Sequence, residues 1–150
     1  MARLALEFDA SARLLPPWQE GVRAASPWIF IRVGRQPSAS LLDTGAAWSI
    51  VRRDLALAAG FPLEGLRAAL STRLGRRSGT LVAEVPLAIE CEQGWYEVDA
   101  TCFVPDEGDD DLPVLLGWRG LLEKVGFALA PGDASTPARL YLALPGVSSG

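Results

Sequence analysis

Leu41-Leu42-Asp43-Thr44-Gly45-Ala46 is the stretch on which the reading of this chain turns. Two apolar residues lead straight into an aspartate. The glycine two positions later permits a tight turn and a close approach of backbone to the carboxylate. Upstream, Trp28 to Val33 is rich in β-branched and aromatic residues and predicts a strand. Gly34-Arg35-Gln36-Pro37 turns the chain, and Ser38 to Leu42 returns it as a second strand that runs directly into Asp43-Thr44-Gly45.

The composition narrows the chemistry available to that aspartate. The 150 residues hold no histidine, which excludes Ser-His-Asp and Cys-His nucleophile systems and most zinc sites. If the protein is a hydrolase, carboxylates must move the protons, and neither a metal nor another cofactor is expected. A formal net charge of −4 argues against nucleic acid as a partner, because phosphate binding needs a clustered positive field. With 49% apolar and 21% charged residues, one globular domain over 1–150 can bury a sizeable core. No apolar run reaches the roughly 18 residues of a membrane span. Met1 to Asp9 meets Glu7 and Asp9 too soon for a secretory signal. A soluble, cytoplasmic protein with no membrane partner is expected.

The remaining pattern predicts an all-β fold with one or two short helices. Strands are expected at Arg3 to Phe8, Thr80 to Glu90, Trp95 to Val104, Val114 to Leu116, Gly126 to Leu129 and Arg139 to Leu144. Residues 9 to 27 read as irregular, broken by Pro16-Pro17 and Ser26-Pro27. Ile50-Val51 is a short apolar step, and Arg53 to Ala59 a short helix that stops at Gly60. Pro62 to Leu70 reads as a loop or another helical turn. Ser71 to Leu74 leads into a glycine-bracketed turn, Gly75-Arg76-Arg77-Ser78-Gly79, and Arg119 to Val125 predicts a second helix. The acidic run Asp106 to Asp111 lacks the spaced ligands of a calcium loop and reads as a solvated turn. If Glu92 to Trp95 is a hairpin turn, Cys91 sits opposite a residue near Tyr96 and Cys102 lies out of its reach. Two buried thiols are then expected.

Asp43-Thr44-Gly45-Ala46 resembles the active-site loop of aspartic proteases, with alanine after glycine as in the retroviral (retropepsin-like) branch. Val114-Leu115-Leu116-Gly117 and the segment Arg119 to Val125 resemble that family's apolar-apolar-Gly strand and terminal helix, and Gly75 to Gly79 stands where the family has its flap. These elements span residues 43 to 125, and short bacterial members look closer than the viral enzymes. The resemblance implies a closed β-barrel, active as a symmetric homodimer, that hydrolyses peptide or protein substrates. It implies Asp43 as the catalytic carboxylate, Thr44 and Gly45 shaping the loop, and Ala46, Ala47 and Trp48 beside the substrate. The flap would be Gly75, Arg76, Arg77, Ser78 and Gly79. Two carboxylates sharing one proton can serve as base and acid together. Since the chain has one such loop, the second must come from another copy.

The chain departs from the viral pattern at two linked positions. An ion pair under the viral dyad is replaced here by Ala47 and Trp118. Trp118 is expected to pack near Ala47 or Trp48, and Trp48 to line a specificity pocket or the core. Ala46 lacks the hydroxyl often found there in pepsin-like loops, which implies a less acidic dyad and a mildly acidic optimum. Arg73, Arg76 and Arg77 read as solvated charges in preference to selectors of acidic substrates. The extra strand Arg139 to Leu144 would cap or extend the terminal sheet. A second reading gives the same dimer a peptide-binding or assembly role with little turnover.

Overall fold

Alternation between buried and half-exposed positions in Trp28–Val33 sets the wall of a barrel, with Ile29, Ile31 and Val33 all at 0% exposure on its inner side. The computed structural model describes residues 10–13, 28–72, 75–107, 114–130 and 139–143. The first elements are β1 (Ala10–Arg13), β2 (Trp28–Val33), β3 (Gln36–Leu42), β4 (Ser49–Ile50), α1 (Arg53–Ala59) and β5 (Leu66–Thr72). They are followed by β6 (Gly75–Cys91), β7 (Gly94–Pro105), β8 (Val114–Leu116), a 3-10 turn at Leu122–Lys124, β9 (Gly126–Ala130) and β10 (Arg139–Ala143).

Six strands close on themselves in the order β2-β3-β8-β4-β7-β6, and β2 pairs back onto β6 through Ile31↔Ile89 to Val33↔Leu87. The all-β expectation therefore holds as a closed six-stranded barrel with one short α-helix. Val82, Leu87, Ala100, Cys102, Val114 and Leu116 fill the interior with the β2 side chains. Each fully buried aliphatic side chain stabilises such a core by about 1.5–3 kcal/mol. The helix α1 lies over β2, β3 and β7 with Leu55 and Ala56 buried. It ends where the sequence indicates, at left-handed Gly60, whose N–H donates to the Leu57 carbonyl at 3.1 Å.

A second, three-stranded sheet runs β1-β10-β9. Here the expectation of an irregular segment from 9 to 27 is corrected at Ala10–Arg13, which pairs with β10 from Ala10↔Leu142 to Arg13↔Arg139. No local pattern announces so short a strand. Tertiary contacts make it: Ser11 N–H donates to Gln93 Oε1 at 2.9 Å, and Glu92 N–H donates to the Ser11 carbonyl at 2.9 Å. The added C-terminal strand becomes the middle of this sheet rather than its cap or edge. The strand expected at Arg3 to Phe8 lies outside the described residues.

Four further expectations are corrected. Pro62 to Leu70 is neither loop nor helical turn throughout, because Leu66 onward is strand β5, registered from Leu66↔Leu81 to Thr72↔Gly75. Gly75 to Gly79 is not the turn but the first five residues of β6, since Thr72 is already paired with Gly75. Arg119 to Val125 forms no α-helix. Gly120 sits at φ +75°, and the N–H groups of Trp118 and Arg119 are used by the Ala46 and Ala47 carbonyls. Cys91 faces Gly94, not the region of Tyr96, and Cys102 faces Val82. Both are buried free thiols.

β6 is long enough to serve two structures, and it changes course between them. The register with β7 shifts between Val82 and Val85, and Glu84 there holds φ +57°. A branched side chain tolerates that region poorly. Glu84→Val is expected to lower stability by about 1–2 kcal/mol, with Glu84→Gly at least as stable as the parent, both read from urea unfolding. Equal midpoints for the valine and glycine variants would contradict a bulge held at this residue.

Candidate active site

The Asp43 loop is built by wrapping the chain around the end of β8. On one side β3 runs parallel to β8, with Leu41↔Leu115 and Leu42↔Leu116, and Asp43 N–H extends the ladder to the Leu116 carbonyl at 3.0 Å. The chain then reverses. Ala46 N–H donates to the Asp43 carbonyl at 3.1 Å, and Gly45 N–H donates to Asp43 Oδ1 at 3.0 Å. On the other side Trp118 N–H donates to the Ala46 carbonyl and Arg119 N–H to the Ala47 carbonyl, at 2.9 and 2.8 Å. Ser49 Oγ accepts from Gly117 N–H at 2.9 Å in a buried bond.

Glycine matters at two of these positions, tightly fitted at Gly45 and required at Gly117. A Cβ on Gly45 would stand 3.3 Å from Asp43 Oδ1, crowding the carboxylate that the turn is folded around. A Cβ on Gly117 would lie 2.3 Å from the Trp48 carbonyl carbon, so the two arms of the loop pass β8 at backbone contact. The half-buried Asp43 carboxylate is thus fixed in place by main chain on both flanks.

Strand alternation decides which way the loop faces. Leu42 and Leu116 point into the barrel, so Leu41, Leu115 and Asp43 lie on the opposite side. That side carries a second apolar cluster, with Ile50 and Phe103 buried and Trp48, Ala68, Leu70, Leu81 and Leu115 packed against them. Three of those residues come from the β5–β6 hairpin. Gly79 lies on the same face, where an added Cβ would meet Phe103 Cζ at 2.7 Å and the Val104 carbonyl at 2.4 Å. The hairpin therefore leans over the surface that Asp43 shares, and Trp48 joins the two.

Of the residues expected at the site, Asp43, Thr44, Gly45, Ala46, Ala47 and Trp48 form one continuous loop. Gly75 to Gly79 lie on the overhanging hairpin, split by register. Gly75, Arg77 and Gly79 share the face of Leu81, while Arg76 and Ser78 share that of Thr80. Trp118 is bound through its main chain to the Ala46 carbonyl. It is 46% exposed, with its ring edge-on to Phe127 of β9 at 6.4 Å, and Arg119 takes the place beside Trp48 at 5.9 Å. The sequence reading missed Ser49, Phe103 and a clasp on the hairpin's other face. A lone serine within Trp48-Ser49-Ile50-Val51 was the one available signal for Ser49.

The clasp joins three strands at the hairpin's root. Arg67 Nη1 donates to Thr80 Oγ1 at 3.0 Å and to Asp106 Oδ1 at 2.6 Å, and its second nitrogen pairs with Asp106 Oδ2. The hydrogen bond from Arg67, with its charge, holds the Asp106 carboxyl below its ordinary range. Beneath the site, Cys102 is paired in register with Ser49. Burial pushes its thiol up to about 12, so it stays protonated and is no nucleophile at neutral pH. Among the described residues, no group of three or more His, Cys, Asp or Glu side chains is placed to hold a metal ion, and no helix is long and apolar enough to cross a membrane.

No known family model matches this chain, and no curated protein sequence does so either.

Ser49→Ala should cost about 1–3 kcal/mol in urea unfolding, because it leaves the Gly117 N–H buried without a partner. A change within about 0.3 kcal/mol would contradict the role given to that bond. Asp106→Asn should speed hydrogen exchange across Leu66–Thr72 at neutral pH. Since the folded carboxyl is held low, the clasp's support is present at neutral pH and fades as pH falls through that lowered value. Parent and variant should therefore converge in acid; a difference that grows on acidification would contradict the clasp.

Proposed function

We propose that this chain is an aspartic endopeptidase whose dyad is completed by Asp43 of a second copy. The observation that carries the proposal is the placement of Asp43: a carboxylate locked at the tip of a rigid loop, on the face overhung by an apolar hairpin. One carboxylate cannot act as base and acid in the same step. Two of them about 3 Å apart cannot comfortably ionise together and so share a proton. In that arrangement the ionised member takes a proton from water, while the other protonates the carbonyl oxygen of the scissile bond. The roles then reverse as the amine leaves. Gly45 N–H, bonded to Oδ1, holds the carboxylate plane fixed through the exchange.

The substrate in this reading is a peptide laid extended between the loop and the β5–β6 hairpin, with Trp48, Leu70, Leu81 and Leu115 offering apolar contact. Trp118 and Phe127 together form an apolar ledge beside the loop, as a self-associating surface would. A peptide-binding dimer with little turnover is the second reading. It is favoured by Ala47 and Trp118, which stand where the resembled viral enzymes carry an ion pair under the dyad. Either way the protein acts without a metal or cofactor and on peptide rather than nucleic acid.

Incubation with a mixed peptide library from roughly pH 4 to 7, followed by mass spectrometry, separates the two readings. Cleavage by the unaltered chain, peaking at mildly acidic pH and lost in Asp43→Asn, is the expected result. Equal, absent turnover in both with retained peptide binding would leave the binding module.

A further inference from the structure

A cavity of about 130 Å³ opens on the outer surface of the barrel, where β2, β6 and β7 lie side by side. Register sets Arg32 of β2 opposite Ala88 of β6, and Ala88 opposite Glu97 of β7, with Asp99 beyond Glu97 on the same face. All four residues line the cavity, together with Pro86 and Val98. Arg32 also pairs with Pro37, at the far end of β3 from Asp43, so this cavity is separate from the candidate active site. The guanidinium of Arg32 does not cross to the carboxylates. It lies over the Trp95 ring at 3.8 Å, and its Nε is buried with no hydrogen-bond partner. Among the described residues it forms no ion pair. Stacking uses the face of the guanidinium and leaves the donors along its edge. Buried donors in folded proteins are matched with few exceptions, and this one borders a cavity.

We propose that this cavity binds a small zwitterion, a free α-amino acid with a short apolar side chain. The charges select the class. A simple anion drawn to Arg32 would stand against Glu97 and Asp99, and a simple cation drawn to those carboxylates would face Arg32. A ligand carrying both signs satisfies both walls. Its carboxylate accepts from the edge of the guanidinium, the geometry in which arginine binds carboxylates best. Its ammonium group donates to Glu97 or Asp99. Arg32 is half-buried and backed by the indole, which keeps water from one side of it and strengthens its attraction for an anion. Size narrows the class further. The cavity, at about 130 Å³, is roughly tenfold what one water needs, which suits a molecule of a few heavy atoms. Pro86, Ala88 and Val98 supply the apolar contact for its side chain.

The test reads binding and does not depend on peptide cleavage. Backbone amide shifts of Ala88, Glu97 and Val98 are followed by NMR on the full chain at neutral pH and fixed ionic strength. L-Alanine, acetate, methylammonium and inorganic phosphate are added in separate titrations. L-Alanine should give saturable shifts at these amides and bind about tenfold more tightly than any of the other three. Arg32→Met should abolish that binding, and Arg32→Lys, which keeps the charge but not the paired donors, should weaken it. Glu97→Gln/Asp99→Asn, made on two exposed side chains, should weaken L-alanine about tenfold while leaving acetate bound no less tightly. That pair of variants keeps the proposal testable even if Arg32→Met fails to fold. Absence of a saturable shift with L-alanine would overturn the proposal. So would acetate or phosphate binding as tightly as L-alanine, or L-alanine affinity unchanged in Glu97→Gln/Asp99→Asn.

Discussion

The Asp43 loop depends on two arms of the same segment passing on either side of β8 at backbone contact. β3 lies along one side of Val114–Leu116, and residues 46 to 50 lie along the other. Only glycine at position 117 allows the second approach, because Trp48 and Ser49 occupy the space a side chain would need. Three polar groups at so tight a crossing are matched: Gly117 N–H by Ser49, and the Ala46 and Ala47 carbonyls by the residues after Gly117. Buried main-chain groups left unmatched would cost more than the packing returns. Among the described residues no ion pair touches the loop's tip, where the Asp43 carboxylate accepts from Gly45 N–H.

From that crossing the rest of the candidate site follows by alternation. Because Leu42 and Leu116 are claimed by the barrel interior, Asp43 and Leu115 must face outward. The outward face is then covered by the hairpin, which reaches it because β6 runs on past the barrel as one strand of 17 residues. The bulge at Glu84 separates the part of β6 that pairs back onto β2 from the part that pairs with β5. The loop below and the two-stranded arm above are joined through the apolar cluster around Ile50 and Phe103, onto which Trp48, Ala68, Leu70, Leu81 and Leu115 pack.

Much of this was legible in the residues, and the limits have physical causes. β2, β3, α1 and β8 are set by local signals, such as strong β formers in Trp28–Val33 and the left-handed stop at Gly60, so sequence and structure agree there. β1 exists because of a partner far away in the chain and β5 because of its register with the next strand, and nothing within Ala10–Arg13 or Leu66–Thr72 alone declares them. The glycines at 75 and 79 suggested a turn. Gly79 instead answers to the Phe103 ring and the β7 backbone, contacts between segments that no reading along one dimension contains. Arg119 to Val125 has helical composition, yet left-handed Gly120, packed against Thr101, interrupts it. In each case a tertiary demand overrode a local preference. The tight turn at Asp43 was visible at once, since its Gly45 N–H and Ala46 N–H bonds join neighbours in sequence.

The proposal that two chains contribute one carboxylate each is tested most directly by mixing. Unaltered protein and Asp43→Asn are combined at varying ratios with total concentration fixed, allowed to exchange partners, and assayed for peptide cleavage. If a working site needs Asp43 from both copies, activity falls as the square of the unaltered fraction, to about one quarter in an equal mixture. A linear fall, to about one half, would mean that each chain works alone and would contradict the shared dyad.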